Sequence, residues 1–95
     1  MIKSFKNSLT EKFYSTGKTR GLPAEIIKRA VRRLQQLDMA TELDDLRCPL
    51  SNHLKALDGN RSGQHSIRIN DQWRLCFVWG GSDAFDVEIV DYHQK

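Results

Sequence analysis

The sequence predicts an α+β fold in which a short N-terminal strand and two helices pack on a twisted antiparallel β-sheet. Three observations predict it: an apolar stripe at helical spacing in Pro23 to Leu37, period-two alternation in the later runs, and turn signals between those runs. Helical pattern comes first and strand pattern second, with no repeat, linker or low-complexity tract between. Residues 1–95 are therefore expected to form one domain, large enough for a single modest core.

Ile2 to Phe5 is read as a short first strand. Ser8 to Tyr14 follows as a helix, capped by Ser8 or Thr10, with Glu11 in its first turn and a stop near Gly17. This first helix has little obvious core of its own. Pro23 to Leu37 is the strongest helix: Ile26, Ile27, Ala30, Val31, Leu34 and Leu37 form one stripe, while Lys28, Arg29, Arg32 and Arg33 are assigned to the other face. Thr41 to Leu46 reads as an acidic helical turn, and Pro49 breaks the chain before the strand-rich half.

Leu54 and Leu57 flank a short strand around Lys55, and Asp58-Gly59-Asn60 signals a turn. In the next two runs Ile67 and Ile69 alternate with Ser66, Arg68 and Asn70, and Trp73, Leu75, Phe77 and Trp79 with Arg74, Cys76 and Val78. A three-residue loop at Asn70-Asp71-Gln72 pairs Ile69 with Trp73 and Ile67 with Leu75, so the apolar faces coincide and Arg68 falls opposite Arg74. Like charges directly opposed destabilise a sheet. An anion lying between or above the pair relieves that, and phosphate suits the donor fork of arginine. Gly80-Gly81-Ser82-Asp83 forms a second turn, and Phe85, Val87 and Ile89 alternate with Asp86, Glu88 and Val90 in the last strand.

The net charge of +3 conceals an asymmetry. Residues 1–40 hold nine Lys/Arg against three Asp/Glu, and residues 41–95 six against nine, so the halves carry +6 and −3. The basic half fits nucleic acid or an acidic protein partner, and equally a solvated helix face. No run approaches the ~20 apolar residues of a membrane span, and MIKSFKNSL lacks the apolar stretch of a signal peptide, which points to the cytoplasm. Cys48 and Cys76 are expected to be reduced thiols.

His53, His65, His93 and the two cysteines show no metal-ligand spacing, so neither a metal nor another cofactor is expected. No GxSxG turn or phosphate-binding glycine loop precedes a helix. What remains is a cluster of basic and titratable residues at strand ends: Lys55, Arg61, Arg68, Arg74, Asp91, Tyr92 and His93. That set fits phosphodiester chemistry on RNA, whose 2′-hydroxyl is its own nucleophile; a protein need supply only a base, a proton donor for the 5′-oxygen and cations on the transition state. His93, with an unperturbed pKa of about 6.5, is the acid/base candidate, set against a bland reading as an exposed residue near the C-terminus. Arg74 is the phosphate holder, set against a salt bridge to Asp86, Glu88 or Asp91. Asp91 is assigned to orienting a cation, and Tyr92 to hydrogen bonding or stacking. Lys55, Arg61 and Arg68 bind substrate, while Trp73 and Trp79 belong to the core.

The hairpin GNRSGQHSIRINDQWRLCF and the ending VEIVDYH, together with MIKSF, the helix at Glu25 to Ala30 and LDMATELDDLR, resemble the HigB-type killer proteins of the RelE/ParE toxin superfamily, over nearly the whole chain. The resemblance implies a type II toxin that cuts mRNA in the ribosomal A site without metal. It puts the family's strand arginine on Arg74, its SIR arginine on Arg68 and its terminal acidic, tyrosine and histidine positions on Asp91, Tyr92 and His93. The implied partners are a helix-turn-helix, HigA-like antitoxin, the ribosome with its mRNA, and operator DNA through the antitoxin complex. The basic helix face would then dock on ribosomal RNA or on an acidic antitoxin segment.

One segment departs from the family. Where leucine, histidine, proline, leucine, lysine and glycine are usual, this chain has Leu54-Lys55-Ala56-Leu57-Asp58-Gly59. The loss of a cation at Asp58 predicts an attenuated or differently tuned nuclease, with Lys55 compensating from a neighbouring position. His53 lies one residue off the histidine register, and in a strand it would face away. The alternatives are a non-catalytic inhibitor of a protein target such as DNA gyrase, as in the ParE-like branch, and a nucleic-acid-binding module without catalysis.

Overall fold

The computed structural model describes residues 1–92. Within them the chain forms helix α1 (Ser8–Thr16), helix α2 (Ile27–Met39) and strands β1 (Lys55–Ala56), β2 (His65–Arg68), β3 (Trp73–Gly80) and β4 (Asp83–Asp91). The strands pair antiparallel in the order β1-β2-β3-β4. Both helices lie on one face of that sheet, α1 against β4 and α2 against β3 and β4. This is the α+β arrangement that the sequence predicts.

The N-terminal segment reaches β4 in parallel through two bridges, Ile2 to Ala84 and Phe5 to Val87, rather than as a regular strand. The break between them follows from a bulge in β4. Cys76 pairs with Glu88 but Val78 pairs with Phe85, so β4 carries one residue more than β3 between those pairs, and Asp86 takes φ 52°. The Asp86 N–H then donates to Ser4 Oγ at 2.9 Å. Strict alternation of Phe85, Val87 and Ile89 therefore fails: Val87 and Ile89 are buried, Phe85 is 37% exposed, and Ala84 takes the inward place.

In α1 the cap is Asn7, whose Oδ1 accepts from the Thr10 N–H at 2.9 Å, and not Ser8 or Thr10. Thr10 is used elsewhere: fully buried, its Oγ1 accepts from the Ile89 N–H at 3.3 Å and ties the helix to β4. Phe13 is also fully buried, so the helix has the core contact that its largely polar composition conceals. Gly17, at φ 72°, closes it by donating to the Phe13 carbonyl at 2.7 Å.

The second helix begins later than expected, because Ala24–Ile26 form a 3-10 turn before α2. Ile26, Ala30, Leu34 and Leu37 pack against Ile67, Ile69, Leu75, Phe77, Val87 and Ile89, with Trp73 and Trp79 partly buried at the margins. Each fully buried side chain of this kind contributes roughly 1.5–3 kcal/mol. Arg33 is not on the solvated face: it is 8% exposed, and its Nε donates to the Arg68 carbonyl at 2.8 Å. It stands seven residues after Ile26, three after Ala30 and four before Leu37, so helical spacing itself puts it on the buried stripe.

The acidic turn is a 3-10 segment, Leu43–Arg47, closed by reciprocal bonds between Glu42 and Asp45. Asp45 also accepts from Thr41, and these backbone bonds hold its carboxyl below the usual range. Buried Asn52 donates to the carbonyls of Leu46 and Cys48 at 3.1 and 3.4 Å, which sets the loop leading into β1. Cys48 and Cys76 are free thiols.

Asn7→Ala should lower unfolding stability by about 0.5–2 kcal/mol. Urea denaturation with an unchanged slope checks this, and an unchanged midpoint would remove Asn7 from its capping role.

Candidate active site

The site grows out of the β2–β3 register. Ile67 pairs with Leu75 and Arg68 with Arg74, as the three-residue loop requires. The Ile69 N–H donates to the Trp73 carbonyl at 2.9 Å, and Asn70 Oδ1 accepts from the N–H groups of Gln72 and Trp73 at 2.9 and 2.7 Å. An Asn-based turn thus places both arginines on the face away from the helices.

A cleft of about 420 Å³ opens there, lined by His53, Leu54, Lys55, Arg68 and Arg74. Arg74 is locked in it by neutral acceptors. Its Nε donates to Ser66 Oγ at 2.8 Å, its Nη2 donates to the His53 carbonyl at 2.7 Å, and its Cζ stands 5.7 Å from the Tyr92 ring centroid. Among the described residues no carboxylate pairs with it, so the expected competition from Asp86, Glu88 or Asp91 does not occur. Burial, with repulsion from Arg68, pushes its guanidinium down from the ordinary arginine value, yet it stays charged at neutral pH. Cation–π attraction to Tyr92 offsets part of that burial.

Arg68 forms an ion pair with exposed Asp71, three residues on. A pair so open to water is worth about 0–1 kcal/mol and yields readily to a better anion. Lys55 lines the cleft from β1, whereas exposed Asp58 stands beyond that strand and outside the lining.

Tyr92 follows β4 on the Arg74 side, and its N–H donates to the Gln72 carbonyl at 2.7 Å. Burial raises its phenol above the ordinary value, with further contributions from Cys76 nearby and a hydrogen bond to that thiol. The same burial raises the Cys76 thiol. Tyr92 is therefore a neutral hydrogen-bond donor throughout the neutral range.

Two predicted site residues lie apart from the cleft. Arg61 donates to Glu88 Oε1 at 2.8 Å and Gln64 Oε1 at 3.1 Å, a half-buried pair that raises its pKa and fixes the loop before β2. Asp91 pairs with Trp73 and so shares that residue's face, where it accepts from Gln72 Nε2 at 2.8 Å. The acid/base candidate His93 lies outside the described residues.

Two contributors were missed in the sequence. Ser66 is fully buried and orients Arg74. His53 is not in a strand at all: at φ 45° it takes the left-handed conformation just before β1, so strand alternation does not govern it and it lines the cleft. The signal for it was the Ser51-Asn52-His53 run between Pro49 and the strand, a turn composition rather than a strand one.

Comparison with known proteins fits this geometry. The model of the HigB-like toxin family, described as the RelE-like toxin of type II toxin–antitoxin system HigB, matches residues 3–93. The chain belongs to the HigB-like toxin family. Among relatives of this HigB-like toxin, Endoribonuclease HigB of Proteus vulgaris is 38% identical over 93 residues, 98% of this chain and all of that protein. Toxin HigB-1 of Vibrio cholerae is 41% identical over 80 residues, covering 83% and 84% of the two chains. A solved YoeB–YefM complex from Staphylococcus aureus shares the fold, with a TM-score of 0.56 at 14% identity over 93% of this chain and 95% of that one. As the toxin of a toxin–antitoxin pair, the HigB-like chain has an antitoxin as its partner.

The absorbance change of tyrosine ionisation that disappears in Tyr92→Phe should lie above pH 10.0, the ordinary tyrosine value. A midpoint below that would mean that the burial of Tyr92 is not maintained in solution.

Proposed function

We propose that this HigB-like toxin is an endoribonuclease that cuts mRNA during translation, in the ribosomal A site, by attack of the RNA 2′-hydroxyl on the adjacent phosphate. The observation that carries this reading is Arg74: a guanidinium on a rigid strand, oriented by Ser66 and the His53 carbonyl, without an ion-pair partner among the described residues, in a cleft with Arg68 and Lys55. The name of the full-length Proteus relative supports the activity.

A base removes the 2′-hydroxyl proton as the oxygen bonds to phosphorus. The P–O5′ bond then breaks, the 5′-oxygen leaves with a proton from an acid, and a 2′,3′-cyclic phosphate remains. Arg74 and Arg68 hold the non-bridging oxygens as charge builds on them, Lys55 adds a third cation, and Tyr92 donates a hydrogen bond to the phosphate. His93 exchanges the protons, and His53, which lines the cleft, is a second candidate for that role. Asp91, bonded by Gln72 at the end of β4, positions the Asp91–Tyr92 corner rather than touching phosphate. The chain carries this chemistry on one domain, residues 1–95.

The partner antitoxin is of the HigA-like, helix-turn-helix kind, and the complex binds operator DNA through it. Among the described residues no helix is long and apolar enough to cross a membrane, which accords with action in the cytoplasm. Asp58 lies outside the cleft and Lys55 within it, which favours compensation by Lys55 over attenuation. Asp58→Lys is accordingly expected to leave the cleavage rate close to wild type; a clear rise would favour attenuation.

Mapping mRNA 5′ ends by primer extension in a purified translation reaction tests the main reading. New ends within the translated frame are expected, absent on free RNA, reduced about 10²–10³-fold in Arg74→Ala and strongly reduced in His93→Ala. Intact mRNA with unimpaired elongation, given folded protein, would overturn the nuclease reading and turn attention to gyrase or another protein target.

A further inference from the structure

On the other side of Arg68 the structure forms a second cavity, of about 450 Å³, lined by Arg29, Arg32, Arg33, Ser51, Arg68 and Ile69. Four arginines, three from α2 and one from the end of β2, thus line one cavity together with Ser51 of the loop before β1. Arg33 is nine-tenths buried, its Nε fixed on the Arg68 carbonyl at 2.8 Å. Among the described residues the sole ion pair made by any of the four is that of Arg68 with exposed Asp71. Burial of Arg33, and after it repulsion from Arg29, Arg32 and Arg68, lowers its pKa from the ordinary arginine value.

Such an arrangement costs folding free energy unless something else recovers it. A fully solvated basic helix face would keep all its arginines in water, whereas Arg33 is buried in the wall of a cavity that Arg29, Arg32 and Arg68 also line. The arrangement has what a phosphodiester group needs: planar donor forks from several directions and a serine hydroxyl. Among the described residues none that lines it is aromatic, so its recognition chemistry there is that of charge and hydrogen bonding.

Its position says which phosphate. Arg68 lines both this pocket and the cleft that holds Arg74. The loop that supplies Ser51 here supplies His53 and Leu54 there and leads straight into Lys55 of β1. Two walls are therefore continuous from one cavity to the other. We propose that the Arg29–Arg32–Arg33–Ser51 pocket holds a backbone phosphate of the same RNA strand whose neighbouring phosphodiester lies at Arg74, so that the substrate strand is gripped at two points across Arg68. The identity of the strand rests on the nuclease reading above; the anion site rests on its own residues.

Binding of a short single-stranded RNA, 2′-O-methylated throughout so that it cannot be cut, should be followed by fluorescence anisotropy at several salt concentrations. The proteins are the wild type and the double variant Arg29→Gln/Arg32→Gln, both positions being exposed so that folding, checked by circular dichroism, is retained. The double variant should bind about five- to tenfold more weakly, with a salt dependence shallower by about 0.7–1 in log–log slope, the loss of one phosphate contact. Unchanged affinity and slope overturn the proposal, including the cases in which the double variant instead loses affinity for ribosomes or for the antitoxin. The nuclease reading is decided separately by cleavage in the translation reaction. Cleavage by the wild type with an unchanged RNA slope in the double variant removes the second pocket alone. A shallower slope without any wild-type cleavage keeps the pocket as an RNA site and removes the nuclease.

Discussion

Pairing of Ile67 with Leu75 across β2 and β3 buries both side chains completely and, because strand side chains alternate with period two, obliges Arg68 and Arg74 to share the opposite face. A slip of one residue would expose two core side chains and drive both arginines toward α2. Hydrophobic burial on the helix side, at roughly 1.5–3 kcal/mol per side chain, thus holds in place a pair of like charges that would not choose to be neighbours. The cleft is a by-product of core packing in the sense that the core sets its register, and the Asn70 turn sets its end.

What the register creates, neutral groups then maintain. Arg74 is fastened by a serine hydroxyl and a peptide carbonyl, and Arg61 by Glu88 at a distance from the cleft. The contrast matters chemically. A carboxylate on Arg74 would stabilise the free protein and would have to be displaced before an anion could bind. Hydroxyl and carbonyl acceptors fix the guanidinium and leave its charge available for an incoming phosphate. Arg33 extends the same logic into α2, since its bond to the Arg68 carbonyl ties the helix to the hairpin.

Much of this was legible in advance, because it depends on periodicity. The hairpin register, the Arg68–Arg74 juxtaposition and the apolar stripe of α2 follow from counting residues. Arg33 was legible too, since its spacing from Ile26, Ala30 and Leu37 places it on the buried stripe, but charge was allowed to outweigh position. Asp91 is a similar case: period two puts it with Trp73, away from Arg74. Other features depend on local backbone states that periodicity does not encode. The bulge at Asp86 exposes Phe85, and the left-handed turn at His53 aims its loop into the cleft; both arise at positive φ in residues other than glycine. The choice of Asn7 over Ser8 as the cap of α1 was decided by tertiary context, since Thr10 is drawn to β4 and the chain enters one residue earlier.

The composition of the cleft also bears on selectivity. Among the described residues its lining is one imidazole residue, one leucine and three cations, and the two tryptophans of β3 pack toward the core. Tyr92 is the aromatic ring that the described residues bring beside Arg74. Contacts to phosphate position a nucleic acid but carry no base information, whereas reading RNA sequence needs splayed bases stacked on aromatic planes and bonded at their edges. A site with so much grip on the backbone and so little on the bases has little means of its own to choose among single-stranded sequences. Under the proposed nuclease reading, the choice of cutting position therefore falls to whatever presents the strand to the cleft rather than to contacts with the bases.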